Sequence, residues 1–293
     1  MIEGKVKVVS PLFLAALWMG GALTSFTLMA LGGRELGSEL TTFQILFFRS
    51  IVGLITVSFL LTLSGWGQIK GKRLKPHLFR NTAHLGGQFG WFYGISLLPL
   101  STVFAIEFTT PIWTALLAVF ILSERLTLLR LISILMGFGG VLLILRPTVT
   151  GISGAELAVV GAAAGYAVAY VMTKKLGADN SPLAIIFYMI VIQLPLSFLP
   201  ALWHWTLPSA SLMPWVVMVG VTALSAHYCI ARALALADAG VVVPLDFMRL
   251  PLIAVIGYLL YGEPFDMWVL AGGAIIFAGN LINIKGAARS NES

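Results

Sequence analysis

The chain of 293 residues is 59% hydrophobic and only 10% charged, with a mean hydropathy of +0.96. So little charge cannot keep so much apolar surface in water, which excludes a soluble globular domain and points to a polytopic membrane protein. The net charge of +6 would suit nucleic acid, but the basic residues fall in short gaps between oily segments, where they face anionic headgroups, so nucleic acid is excluded as a partner.

A bilayer core about 30 Å thick needs roughly 20 helical residues. In chain order such runs lie at about 11–31, 41–63, 77–98, 101–122, 126–145, 153–173, 181–203, 212–236, 239–261 and 265–284. They are continuous rather than alternating, which excludes barrel strands. The expected fold is therefore all-α and integral to the membrane, with ten transmembrane helices. Lys5 and Lys7 precede the first run. That run has full spanning length and no small-residue cleavage site follows it, so it reads as a membrane helix rather than a signal peptide. The gaps alternate in charge. One side carries Lys5, Lys7, Lys70, Lys72, Arg73, Lys75, Arg80, Arg125, Arg130, Lys174, Lys175, Arg232, Lys285 and Arg289; the other has only Arg34 and Arg146. This asymmetry predicts both termini on the cytoplasmic side of a cytoplasmic (inner) membrane. The single cysteine, Cys229, lies in an apolar run, so no internal disulfide forms.

Four charged residues stand inside predicted spans: Arg49 in the second, Glu107 in the fourth, and Asp246 with Arg249 in the ninth. A charge at the bilayer centre costs at least about 2.5–3.5 kcal/mol, so such groups face a bundle interior or a wet cavity and usually pair. Counted from the outer face at 1.5 Å per residue, Arg49 lies about 12 Å deep and Glu107 about 9 Å deep, close enough to meet. Asp246 and Arg249 share a helix face at i,i+3, nearer the cytoplasmic side. The expectation is one carboxylate–guanidinium pair per half, at mirrored depths, serving either as structural glue or as a site contested by substrate or proton. Glu107 belongs to S-T-V-F-A-I-E-F-T-T-P-I-W (101–113). Pro111 lacks an N–H, so the Glu107 carbonyl loses its helical bond and the turn loosens. Pro251 is the corresponding expected helix break in the ninth span.

The third span is the least oily. Asn81, His84, Gln88 and Trp91 recur at i, i+3, i+7 and i+10, one stripe expected to line a cavity, with interhelical hydrogen bonding as the alternative. His84 taken alone reads as a satisfied core histidine. Gly86, Gly90 and Gly94 suggest a close-packing face. Some of Trp91, Phe92 and Tyr93 would form an interfacial aromatic belt. Glu124 and Glu263 precede helices and read as helix-dipole partners rather than functional groups.

A shift of 139 residues lays the chain partly over itself. Glu107 falls on Asp246, Phe108 on Phe247, Ser123-Glu124 on Gly262-Glu263, Gly140 on Gly279, Phe48 on Phe187 and Gln88 on His227. Pro111 and Pro251 match one residue out of register. Two units follow, 11–145 and 153–284. Five spans in each is an odd number, so the second copy is expected to be inverted, an architecture of secondary transporters with the substrate near the midplane.

The run P-I-W-T-A-L-L-A-V-F-I-L-S-E-R-L-T (111–127), F-F-R (47–49), G-F-G-G-V-L-L-I-L (137–145) and P-L-I-A-V-I-G-Y-L-L-Y-G-E-P (251–264) resemble the drug/metabolite transporter superfamily, specifically EamA-type permeases with two five-helix repeats. Ser123 stands where that family usually has glycine. The resemblance implies a carrier working by alternating access on amino acids, nucleotide-linked metabolites, vitamins, S-adenosylmethionine or drugs. With both signs of charge inside the bundle, a small zwitterion such as an amino acid is the expected substrate. The candidate binding set is Glu107, Arg49, His84, Gln88, Trp91, Asn81, Asp246, Arg249, His227 and Trp18, with Trp18 and Trp91 available to stack on a ring or an onium group. A carboxylate in oil also makes protons a candidate coupling ion. No metalloprotease, P-loop or nucleophile-elbow motif is present. An enzyme, a primary pump, a metal and a cofactor are therefore not expected. The competing class is a membrane scaffold in which every pair is structural. The sequence leaves monomer and dimer equally open.

Overall fold

A computed structural model describes residues 11–69, 74–121, 127–146, 151–177, 179–236 and 245–292. Lys5, Lys7, Lys70, Lys72, Arg73 and residues 123–125 lie outside them. The elements are α1 (Pro11–Leu36), α2 (Thr42–Ser64), α3 (Leu74–Leu97), α4 (Leu100–Glu107), α5 (Thr110–Ile121), α6 (Leu128–Leu145), α7 (Gly154–Leu176), α8 (Pro182–Ala201), α9 (Met213–Leu234), α10 (Arg249–Tyr261) and α11 (Met267–Glu292). No strand occurs among the described residues.

Local chemistry sets the starts. Thr41 opens α2 with a capping box, its hydroxyl accepting from the Gln44 N–H while Gln44 reaches back, and Ser153 does the same for α7 with Glu156. Thr127 and Ser181 cap α6 and α8. Among the described residues seven helices are long and apolar enough to cross a membrane: α1, α2, the α4–α5 unit, α6, α7, α8 and α9. The ten-span expectation is therefore met only in part. α3 has the length but carries the polar stripe, while α10 and the apolar part of α11 are short. Large apolar side chains such as Ile55, Phe59, Leu63, Phe120, Leu142 and Leu259 point outward. In water such a surface would aggregate; a multi-pass membrane protein presents it to acyl chains.

The helices pack in matched couples. α1 lies along α9 and α3 along α7; α2 pairs with α8, and α6 with α11. Under the 139-residue shift α1 corresponds to α7 and α3 to α9, so the first two couples are equivalent and the last two join equivalent helices. In lipid, helices associate by close van der Waals fit rather than by the hydrophobic effect. The α3–α7 seam illustrates this. A Cβ on Gly90 would overlap the Ala158 carbonyl, one on Gly94 would strike Val159, and Gly87 faces the Tyr166 ring. Gly86, expected on that face, is exposed with nothing within 4 Å. Four-residue spacing drifts around a 3.6-residue turn, so Gly87 takes the place assigned to Gly86.

Gly90→Val is expected to destabilise the protein by about 1–3 kcal/mol through overpacking, whereas Gly86→Ala should be neutral. Thermal unfolding of the two purified variants in detergent measures the contrast, and equal behaviour would contradict the seam.

Candidate functional site

Pro111 interrupts the fourth span as expected. α4 ends at Glu107 and α5 begins at Thr110. The carbonyls released by the break find other donors. Thr110 Oγ1 donates to the Glu107 carbonyl at 2.6 Å, Thr109 Oγ1 to the Ile106 carbonyl at 2.7 Å, and Asn280 Nδ2 from α11 to the Phe108 carbonyl at 3.0 Å. The same event recurs in the second half. Leu245 and Asp246 are helical, Phe247 and Met248 form a turn, and α10 restarts at Arg249. Pro251 sits in the first turn of α10, where a missing N–H is tolerated. The two breaks meet. Phe108 and Phe247, equivalent under the repeat, stack with centroids 4.1 Å apart and planes 21° apart.

This meeting keeps the expected Asp246–Arg249 pair but replaces the expected Arg49–Glu107 pair, so the two pairs at mirrored depths do not form. Arg249 Nη2 donates to Asp246 Oδ2 at 2.7 Å, and its Nη1 lies 3.8 Å from Glu107 Oε1. Both carboxylates therefore share one guanidinium. Trp91 Nε1 donates to Glu107 Oε2 at 2.7 Å. The Arg249 guanidinium also lies over the rings of Phe26 (4.2 Å), Phe108 (5.0 Å) and Phe104 (5.5 Å), an aromatic enclosure for a cation. Depth counting failed because both helices break at their carboxylates, and Glu107 and Asp246 converge on one guanidinium.

Arg49 does not pair with Glu107. It is buried, it makes no ion pair among the described residues, and its Nε has no hydrogen-bond partner there. The stripe on α3 is also re-read. Asn81, His84, Gln88 and Trp91 are all buried. The Asn81 carbonyl accepts from Gln193 Nε2 at 3.1 Å, and the same amide lies 3.1 Å from His84 Nδ1. Asn81 Oδ1 accepts from Arg80 Nη1 at 2.6 Å. Much of the stripe thus bonds between helices, and none of it lines the main cavity. Trp91 and Phe92 are core residues, so of the expected belt only Tyr93 reaches the surface. His227 is exposed, edge-on to Phe26 at 6.0 Å. Trp18 packs on Tyr228 and under Arg232 rather than against the Glu107 group.

A cavity of about 480 Å³ opens beside the breaks, lined by Glu107, Asp246 and Arg249 at its base and by Tyr166 and Tyr170 of α7 on one wall. Its rim includes Arg130 and Lys174. The opposite end is closed. Arg34 of α1 pairs with Glu263 at 2.9 Å, Glu263 Oε2 accepts from the Leu100 N–H at 2.8 Å, and the Tyr261 hydroxyl donates to Glu35 at 2.8 Å. Glu263 therefore serves the start of α4 instead of its own following helix. Its expected partner residue Glu124 lies outside the described residues.

Sequence reasoning overlooked Tyr166, Tyr170, Gln193 and the phenylalanine enclosure. Two tyrosines at i,i+4 in an alanine- and glycine-rich span, and a lone glutamine in oil, were available signals.

The EamA-like transporter family model matches this chain twice, over residues 13–146 and 153–284. The chain belongs to the EamA-like transporter family. Among its relatives, the S-adenosylmethionine uptake transporter of Rickettsia prowazekii is 25% identical over 276 residues, covering 94% of each protein. The riboflavin transporter of Vibrio cholerae is 28% identical with 89% of each covered. The pseudopaline exporter CntI of Pseudomonas aeruginosa is 25% identical, over 87% of this chain and 90% of the exporter. A solved crystal structure superposes with a TM-score of 0.65 at 18% identity, across 95% of this chain and 99% of the other. That likeness bears on the fold alone. This EamA-like transporter is accordingly all-helical and set in a membrane, and its relatives are named as carriers rather than enzymes.

Arg249→Leu would leave two carboxylates facing each other without a counter-ion. It is expected to cost about 3–5 kcal/mol of stability, more than Asp246→Asn, as read by unfolding in detergent; an indifferent Arg249→Leu would contradict a shared guanidinium.

Proposed function

We propose that the protein is a secondary transporter for a small polar or zwitterionic metabolite, such as an amino acid or a related compound. The observation that carries this reading is the cavity of about 480 Å³ that ends on Glu107, Asp246 and Arg249 where two helices break, open at one end and latched at the other. Unwound backbone at a membrane midplane is tolerated where it borders a cavity, and it supplies polar groups for a substrate. In this reading the chain has ten spans in two inverted five-helix units, 11–145 and 153–284. The matched helix couples and the Phe108–Phe247 stack support it. The rim residues Arg130 and Lys174 belong to the basic side, and Arg34 to the side poor in basic residues. The conformation is thus inward-open, in the inner membrane, with both termini in the cytoplasm.

Alternating access then requires the Arg34–Glu263 contact to open while the mouth between Arg130 of α6 and Lys174 of α7 closes. Substrate amine and Arg249 compete for Glu107. Pro111 and Pro251 keep the two breaks free to bend. Protons are the candidate coupling ion, because protonating Glu107 removes its pull on Arg249.

A second reading is a larger cationic or aromatic substrate. The relatives named for S-adenosylmethionine uptake and the phenylalanine enclosure around Arg249 favour it, since rings that hold a guanidinium suit a sulfonium as well. S-adenosylmethionine carries an amine and a carboxylate; riboflavin carries neither.

Counterflow into proteoliposomes, run with amino acids, S-adenosylmethionine and riboflavin, tests the proposal. Glu107→Gln should fold normally and lose uptake at least tenfold, a barrier change of about 1.4 kcal/mol or more. Unchanged uptake by Glu107→Gln would remove that carboxylate from the site, and a wild type that moves nothing would favour a scaffold.

A further inference from the structure

The cavity beside the breaks has a wall on α7 that the ion cluster does not explain. Tyr166, Tyr170 and Lys174 recur at i, i+4 and i+8 and all line it, a face that runs about 12 Å along the helix at 1.5 Å per residue. Tyr170 sits well inside the bundle, yet 55% of its surface is open, so the space it faces is the cavity it lines. Among the described residues its ring has no aromatic neighbour and its hydroxyl no hydrogen-bond partner. Tyr166 is held from behind. Its ring packs 5.5 Å from His84 and against Gly87 of α3, where a Cβ would meet it at 2.9 Å. The Tyr166 hydroxyl likewise bonds no described residue.

The lining that α5 supplies is of another kind. Beyond the break it consists of Thr110, Pro111, Thr114 and Ala115. The Thr110 hydroxyl donates to the Glu107 carbonyl at 2.6 Å and the Thr114 hydroxyl to the Thr110 carbonyl at 2.8 Å. Their hydrogens are spent on backbone, so this lining offers a pyrrolidine ring and methyl groups. α5 packs along α7, which sets a low apolar surface next to the two open tyrosines. The volume of about 480 Å³ lies within the range of about 300–1,000 Å³ typical of sites that hold drug-sized molecules.

An aromatic face left open inside a bundle is contact surface without a partner. Flat rings favour offset stacking on other rings, and tyrosine supplies rigid, amphipathic contact area at small entropic cost. A puckered aliphatic group of equal size would touch such a face through a few atoms only. We propose that Tyr166 and Tyr170 are specificity-determining residues that receive a planar ring of the transported molecule, while its amine or onium group meets Glu107. Cargo for this chain thus carries a flat ring as well as a cation. A small aliphatic amino acid would leave both tyrosine faces uncovered. The inference rests on the carrier reading for its cargo, but selectivity for a ring is a binding property of the cavity.

The test uses the purified full chain in detergent, with ligand-induced thermal stabilisation as readout. Two probe pairs isolate the ring. Phenylalanine and cyclohexylalanine share their charges and nearly their size, and differ in flatness. S-adenosylmethionine and S-methylmethionine share the sulfonium and differ by the adenosyl group. In the wild type the flat-ring member of at least one pair should bind about tenfold tighter than its counterpart. Tyr170→Leu should bring that pair to within about twofold of each other by weakening the ring-bearing member alone. Tyr170→Phe keeps the ring and should retain a gap of about fivefold. Thr114→Leu, which crowds the space from α5, should narrow the gap as well and decides the matter if Tyr170→Leu fails to fold. The inference is overturned if both members of each pair bind the wild type equally, if the gap survives Tyr170→Leu, if Tyr170→Phe closes it as fully as Tyr170→Leu, or if no probe shifts the wild type. Counterflow separates this from the carrier reading. Ring-selective binding without counterflow would sink transport and leave the tyrosine site standing, while counterflow of ringless and ring-bearing probes alike would do the reverse.

Discussion

The fold depends on one shared guanidinium. Arg249 holds Glu107 from the first half and Asp246 from the second. Two carboxylates cannot both stay ionised at short range in a low-dielectric interior without a cation between them. The contact therefore joins the two halves. The breaks at Phe108 and Phe247 make it possible, the first of them where Pro111 lacks an N–H, because they leave both carboxylates within reach of one guanidinium. The rest of the interior follows from that convergence, including the aromatic enclosure, the Trp91 donor and the cavity that ends there.

Both ends of the bundle then have distinct chemistry. One is tied by Arg34, Glu263, Glu35 and Tyr261, groups drawn from α1, α10 and the loops beside them. The other is wide and lined by tyrosine, lysine and arginine. Surface ion pairs contribute little. Arg34 and Glu263 are mostly shielded, however, with side chains 19% and 10% exposed, and Glu263 also holds the first N–H of α4. A contact of that kind would suit the latch that the proposed carrier cycle opens.

Much of this was legible in the sequence. Oily runs of spanning length gave the helices, and the charge pattern gave an orientation to test. The 139-residue shift paired Phe108 with Phe247 before any contact between them was visible. Pro111 marked the fourth-span break because the lost N–H is a local fact. The errors were all about distance across the bundle. Arg49 was matched to Glu107 by depth, but depth is read along a straight helix and Glu107 sits at the end of a broken one. Gly86 was given to the seam by a spacing of four that real helix geometry rotates away. Trp18 was grouped with the site by type, which does not specify which neighbour a side chain meets, whereas His227, grouped by repeat position, packs on Phe26 of the enclosure around Arg249. Gln193 was missed because a lone polar residue carries no period, and the tyrosines of α7 because an i,i+4 aromatic pair in a spanning helix faces lipid as readily as a cavity.

The stacked rings of Phe108 and Phe247 have a mechanical consequence. Aromatic faces favour offset arrangements and tolerate lateral displacement far better than separation. With planes 21° apart and a third ring, Phe277, 4.5 Å beyond Phe247, the two halves touch through a slippery, oriented bearing. In the proposed carrier cycle, relative motion of the breaks would be steered along the ring planes, so the joint that unites the molecule would also set the direction in which it yields.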